Sequence, residues 1–254
     1  SRKRTLYVGN PIVIPIDGSC GSDGYDITVS DNSICKVTKD SFYDDYNFIR
    51  LEPLKLGTTS FSVKASDGDE IYNCDVTVLD NLPEDAASIK DIELRSWFFA
   101  RTYYGQDGYI SKDELSHINF FSFGYGCREG DIKDLSGLEY ATGLKTIDLS
   151  DTGVKDVSPI MKLKNLENLD ISGKEMDDYS WLSNFTKMKR LNISRTKIQD
   201  FSFLNNMPEL EYLYVAGTSI SDFSFLKNMP ELEGLSVAKT SIIDLTFLKN
   251  LKNY

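Results

Sequence analysis

From Leu144 to Leu251 the sequence repeats itself at a fixed interval of 22 residues. The runs LKTIDLSDTGVKDVSPI, LENLDISGKEMDDYSWL, MKRLNISRTKIQDFSFL, LEYLYVAGTSISDFSFL and LEGLSVAKTSIIDLTFL align without a gap, headed by Leu144, Leu166, Met188, Leu210 and Leu232. Ile147, Leu169, Leu191, Leu213 and Leu235 form a second apolar column, and Leu149, Ile171, Ile193, Val215 and Val237 a third. A unit of this size cannot bury its own apolar residues. Successive units must stack and share one continuous core, which restricts the segment to a solenoid.

In each copy the last two apolar columns are two residues apart, so both point inward from a short strand and the residue between them points out. A period of roughly 20–29 residues with L-x-x-L-x-L spacing marks a leucine-rich repeat. The next column reads Thr152, Lys174, Thr196, Thr218 and Thr240, where such repeats usually carry Asn. The Thr hydroxyls can make part of the same side-chain-to-backbone ladder, with Lys174 a local break. An apolar column follows (Val154, Met176, Ile198, Ile220, Ile242), then Asp156, Asp178, Asp200, Asp222 and Asp244, placed to cap a short helical turn. Ile160, Leu182, Leu204, Leu226 and Leu248 belong inside that turn. Trp181, Phe203, Phe225 and Phe247 pack between turns on the convex side.

The first 80 residues have another texture. Short β-branched or aromatic runs begin at Leu6, Ile12, Tyr25, Ile34, Phe48, Thr59 and Cys74, separated by turn signals such as Gly9-Asn10-Pro11 and Asp17-Gly18-Ser19. Seven strands with turns between them predict an all-β sandwich. LYVGNPIVIPI, SDNSICKV, LKLGTTSFSVKASDG and CDVTVLD resemble the group 2 bacterial Ig-like modules of surface adhesins. That resemblance implies a spacer or presentation domain rather than a catalytic one.

The expected organisation is therefore an Ig-like β-sandwich over 1–80, a linker at 81–85, a helical N-terminal cap over 86–131, and the solenoid over 132–254. The solenoid comprises one degenerate coil and five full coils. Apolar spacing predicts a helix from Ala86 to Tyr103 and a second from Ser111 to Phe120. Between them, Gln106 to Glu114 resembles half of an EF-hand with Gly108 at loop position six. Two of the side-chain oxygens that calcium needs are missing. The competing reading is a tight turn into a helix boxed by Ser111 and Glu114.

This cap, running into DLSGLEYATGLKTIDLSDTGVKDVSPI, resembles the opening of the internalin-type repeats of Gram-positive surface proteins, and the 22-residue units carry the match over 86–251. The resemblance implies an extracellular, cell-surface or secreted protein. It departs from the family in order, since internalins carry their Ig-like module after the repeats, and in the Thr column. The chain opens Ser1-Arg2-Lys3-Arg4, and Tyr254 stands where the next repeat's first Leu is due, so it reads as a segment of a longer protein.

A formal net charge of −11 disfavours nucleic acid and anionic membrane as partners, since either requires clustered Lys and Arg. No apolar run approaches the length of a membrane-spanning helix. Cys20, Cys35 and Cys74 allow one disulfide in any of three pairings, and Cys127 falls on an inward position as a buried thiol. No spacing of Cys and His suggests zinc, and no cofactor is expected. The one histidine, His117, has no nucleophile constellation near it in sequence. Asp148 and Asp170 lie on neighbouring strands of an open sheet without a water-excluding cleft, so catalysis is not expected.

What remains is the outward face of the strands. One column reads Thr146, Asn168, Arg190, Tyr212, Gly234; the next Asp148, Asp170, Asn192, Tyr214, Ser236; the third Ser150, Ser172, Ser194, Ala216, Ala238. Tyr and Arg are the residue types most often found as binding hot spots. Tyr212, Tyr214, Arg190 and Arg195, with Asn192, Asn168, Asp170, Asp148 and Ser236, are the expected ligand-binding residues, and Gly234 is expected to leave room for a partner's side chain. The expected function is a non-catalytic recognition or adhesion module whose concave face binds a host or neighbouring-cell surface protein. A structural stalk of a larger surface protein and a carbohydrate-binding module are the alternatives.

Overall fold

The computed structural model describes residues 2–16, 24–40, 48–65, 70–100, 108–122, 132–150 and 152–242. The described residues up to Glu114 form one compact unit and those from Leu115 onward another.

The first unit holds β1 (Arg2–Tyr7), β2 (Ile12–Pro15), β3 (Tyr25–Val29), β4 (Cys35–Asp40), β5 (Phe48–Pro53), β6 (Gly57–Ala65), β7 (Glu70–Leu79) and the helix α1 (Ile92–Ala100). Each of the seven predicted runs is a strand. They make two sheets, ordered β1-β7-β6-β3 and β2-β5-β4. All pairs are antiparallel except β1 with β7. In β7 Tyr72, Cys74, Val76 and Val78 are buried while Asn73, Asp75 and Thr77 are exposed, the alternation of a strand with one apolar side. Ile12, Val13 and Ile14 of β2 are all buried, because α1 packs against this strand.

That contact departs from the expected division of the chain. Apolar spacing assigned Ala86–Tyr103 to the solenoid's cap; the helix is shorter and belongs to the first unit. Asp91 sets its start, since its Oδ1 accepts the amides of Glu93 and Leu94 at 2.9 and 3.1 Å. The buried Arg95 sets its place. Its guanidinium donates to the carbonyls of Ile89 (3.0 and 2.5 Å) and Lys90 (3.4 Å), and across to Pro11 next to β2 (2.6 Å). Burial lowers the Arg95 pKa to about 10, which leaves the side chain charged at neutral pH.

Cys35 and Cys74 are buried free thiols, and burial raises both, Cys35 to about 12. Neither is a reactive thiolate. Cys20 and Cys127 lie outside the described residues. So do Tyr103, Gly105 and Asp107 of the EF-hand-like loop. Gly108 is held at φ +92°, where a Cβ would stand 1.6 Å from the Thr5 carbonyl oxygen. Glu114, loop position twelve of the calcium reading, accepts the Ser111 amide at 2.8 Å while Ser111 Oγ accepts the Glu114 amide at 3.1 Å. This is the expected capping box.

The predicted second helix stops early. α2 spans Lys112–Ser116, and Phe120–Ser122 form a strand, β8. β8 opens a parallel, in-register sheet with β9 (Thr146–Asp148), β10 (Asn168–Asp170), β11 (Arg190–Asn192), β12 (Tyr212–Tyr214) and β13 (Gly234–Ser236). The middle residues of the first five, Phe121, Ile147, Leu169, Leu191 and Leu213, are buried. So are Leu149, Ile171, Ile193 and Val215 one step on, and Ile160, Leu182, Leu204 and Leu226 in the return turns. Those turns are 3₁₀ segments, which advance about 2.0 Å per residue and suit a short coil. Trp181, Phe203 and Phe225 are buried beside them, whereas Phe247, Asp244 and Leu248 lie outside the described residues.

Two polar columns complete each coil. Thr152, Thr196, Thr218 and Thr240 donate their hydroxyls to the carbonyl three residues back, at 2.7 to 2.8 Å. Lys174 breaks this pattern by reaching to the preceding coil, where its buried ammonium donates to the Thr152 carbonyl. Asp156, Asp178, Asp200 and Asp222 accept the amides of Ser158, Ser180, Ser202 and Ser224 at 2.8 to 2.9 Å. The Asp sits one residue ahead of the turn's N-cap rather than on it. The Ser180 and Ser202 amides hold Asp178 and Asp200 below the usual carboxylate range.

Candidate binding face

Because each strand is three residues long, its first and third side chains project from the face opposite the core. The third position is Asp or Asn in coils one to three for a local reason. Asp148, Asp170 and Asn192 each turn one oxygen back to accept the amide two residues on, from Ser150 (3.0 Å), Ser172 (2.8 Å) and Ser194 (3.1 Å). The second carboxylate oxygen of Asp170 accepts Asn192 Nδ2 at 2.8 Å, and Asn168 Nδ2 donates to Thr146 Oγ1 at 3.0 Å. A good part of the polar face is thus spent on the turns and on binding one coil to the next. Ser172, placed by pattern on the outward face, is buried in this turn.

The fourth coil differs. Tyr214 occupies the Asx position, is half-buried, and its hydroxyl has no hydrogen-bond partner among the described residues. Tyr212 is fixed on several sides. The Arg190 guanidinium lies over its ring at 4.4 Å, and its hydroxyl donates to Glu233 Oε2 at 2.7 Å, which raises the phenol pKa. A Cβ on Gly234 would come within 2.6 Å of Tyr212 Cδ1. The room beside Gly234, expected for a partner's side chain, is filled by the Tyr212 ring. Arg195, at φ 58°, is exposed just beyond β11, and its Cγ lies over Gly217. Ser236 is half-buried on β13.

A charge ladder borders the face on the residue before each strand. Glu167 pairs with Lys145 at 2.8 Å and Lys189 at 3.4 Å, and the Lys145 contact above all lowers its pKa. The next two positions of that column are both acids, Glu211 and Glu233.

The face also contains residues that the 22-residue period does not reach. Phe120 pairs with Thr146 and Ser122 with Asp148, an offset of 26, because the coil between them is longer by four. Phe120 is 51% exposed on the outward side. Together with Ser122, Asp148, Asp170, Arg190 and Tyr214 it surrounds a concavity of about 320 Å³. The alternating Phe120-Phe121-Ser122 run was the available signal, hidden by its place after a helix. His117 is exposed, with Nδ1 3.3 Å from Ser116 Oγ. Among the described residues no group of three or more His, Cys, Asp or Glu could hold a metal ion, and no helix is long and apolar enough to cross a membrane.

Residues 186–228 match the family described as leucine-rich repeats in two copies. Among solved structures the chain is similar to an internalin (inlF) from Listeria monocytogenes, at 28% identity and a TM-score of 0.48, over 55% of this chain and 40% of that one. It is similar to internalin C2 of the same organism at 22% identity and a TM-score of 0.45, over 58% and 83%. With the functional domain of InlJ, also from Listeria monocytogenes, it shares 17% identity at a TM-score of 0.42, over 56% and 35%. The chain therefore spans well under two thirds of the length of inlF and of the InlJ domain. No curated protein matches it.

Proposed function

We propose that this chain is a non-catalytic extracellular recognition module of the internalin type. Its repeat face, β8 to β13, binds a protein on a host or neighbouring cell, and its first unit is an Ig-like spacer or presentation domain. The observation that carries this reading is the composition of the outward positions. After the turns and inter-coil ladders have taken their share, one aromatic hydroxyl at Tyr214, one exposed aromatic ring at Phe120 and an Arg190–Tyr212 stack remain clustered on one surface. These are hot-spot residue types, and Tyr212 is already held in one pose, which lowers the ordering cost of binding. A face of six short strands offers on the order of 800 Å² to a partner, enough for a standard interface. Asp148 and Asp170, side by side on the face, are engaged in turns on an open surface, which favours binding over catalysis. A net charge of −11 favours protein over nucleic acid.

The test is a paired capture. The chain and its Tyr212→Ala/Tyr214→Ala variant are immobilised and exposed to host-surface extract and to a glycan array. A protein retained by the first and held at least about tenfold more weakly by the second is the expected result. Equal retention by both would remove the face from consideration, and glycan retention alone would replace the protein partner by carbohydrate.

A further inference from the structure

We propose that the concavity at the β8–β10 end of this face receives a basic side chain, lysine or arginine, from the protein partner. The inference rests on the reading of the face as a recognition surface and names the chemistry of what it recognises. The concavity measures about 320 Å³, with Phe120 on one side and Tyr214 on the other. Between them Asp148 and Asp170 stand directly side by side in strand register. Neighbouring strands are about 4.8 Å apart, so the two carboxylates repel each other. Neither forms an ion pair with a described residue; Arg190 also lines the concavity, but its guanidinium lies over the Tyr212 ring. One oxygen of each carboxylate is held by its turn, and the other accepts a neutral donor, Ser122 Oγ at 3.4 Å for Asp148 and Asn192 Nδ2 at 2.8 Å for Asp170, so neither negative charge is neutralised by these bonds. A cation placed there removes the repulsion. An alkyl stem beneath the cation covers the exposed Phe120 ring, and aromatic faces attract cations in their own right. An anionic side chain is repelled by the two carboxylates, and a purely apolar one covers Phe120 but leaves both charges unmatched. The chain's overall charge of −11 adds long-range attraction for a basic partner.

The test is an NMR titration of the isotope-labelled full chain. The probes are Nα-acetyl-lysine methylamide and Nα-acetyl-arginine methylamide, with the norleucine derivative and spermine as comparators. Saturable shifts at Ser122, Asp148, Asp170 and Tyr214 from a cationic derivative, absent with norleucine, are expected by about 50 mM. Asp148→Asn should weaken them about fivefold, the worth of one unit charge at contact distance in water. Asparagine keeps the fold at this position, because Asn192 already makes the same turn one coil from Asp170. Phe120→Ala, at an exposed position, should weaken the lysine derivative as well. The proposal is overturned if neither derivative shifts these residues, if norleucine shifts them equally, or if spermine binds but the amino-acid derivatives do not. Captured protein that depends on Tyr212 and Tyr214, alongside a silent titration, would discard the basic side chain and keep the recognition face.

Discussion

Leu191→Ala is expected to lower the stability of the repeat unit by about 3 kcal/mol or more. Leu191 is fully buried at the centre of β11, in register with Leu169 on one side and Leu213 on the other. Leu-to-Ala changes in cores cost roughly 2–5 kcal/mol, most where the surroundings cannot collapse into the cavity. Here they cannot. Asn192 ties to Asp170, Lys189 to Glu167, and the backbone rungs of β10, β11 and β12 fix the spacing on both sides. Solenoid stability is a sum of nearest-neighbour terms, so a defect in a middle coil weakens two interfaces. The sequence has two tryptophans, and Trp97 belongs to the first unit while Trp181 belongs to the second. Urea unfolding followed by Trp181 fluorescence in a Trp97→Phe background isolates the effect. A loss under about 1 kcal/mol would mean that the inward column is not packed as described.

Arg95→Met is expected to cost the first unit about 3 kcal/mol. Methionine retains most of the stem volume, so the change isolates the polar contacts. Four hydrogen bonds vanish, and the carbonyls of Ile89 and Pro11 lose the partner that ties α1 to the edge of β2. Each buried, orphaned acceptor costs roughly 1–3 kcal/mol. Arg95→Lys should recover little, since one compact ammonium cannot serve two carbonyls in the fork geometry of a guanidinium. Trp97 lies on α1 and reads the transition directly. Unchanged unfolding of Arg95→Met would show that α1 does not depend on this clamp.

The two units were legible in the sequence to different depths. A strict period is a global constraint, and over the described coils it placed most of the inward columns and the aromatic backing residues by counting alone, with the Asp column one residue ahead of the cap it was expected to fill. Counting failed where the period failed. The coil from Phe120 to Thr146 is longer by four, so Phe120 was read as the end of a helix and Ser122 was given no element, although they extend both outward columns. The boundary between the units was hidden for another reason. Helical spacing in 86–103 says that a helix buries one side, but not against what; that was decided by Arg95, whose long reach to Pro11 has no sequence signature. On the face itself, the pattern gave the outward positions but not what each side chain is already engaged in. Asp148, Asp170 and Asn192 hold turns, and Gly234 accommodates Tyr212 instead of a partner.

Recognition on the strand face is tested by a side-chain oxidation footprint of the chain alone and with its captured partner. Binding on this face predicts protection of Phe120, Tyr212 and Tyr214, with unchanged oxidation at Phe201 in the return turns and at the exposed Leu56 of the first unit. Protection at Phe201 or Leu56, with Phe120 and Tyr214 still oxidised at the rate of the unbound chain, would contradict it.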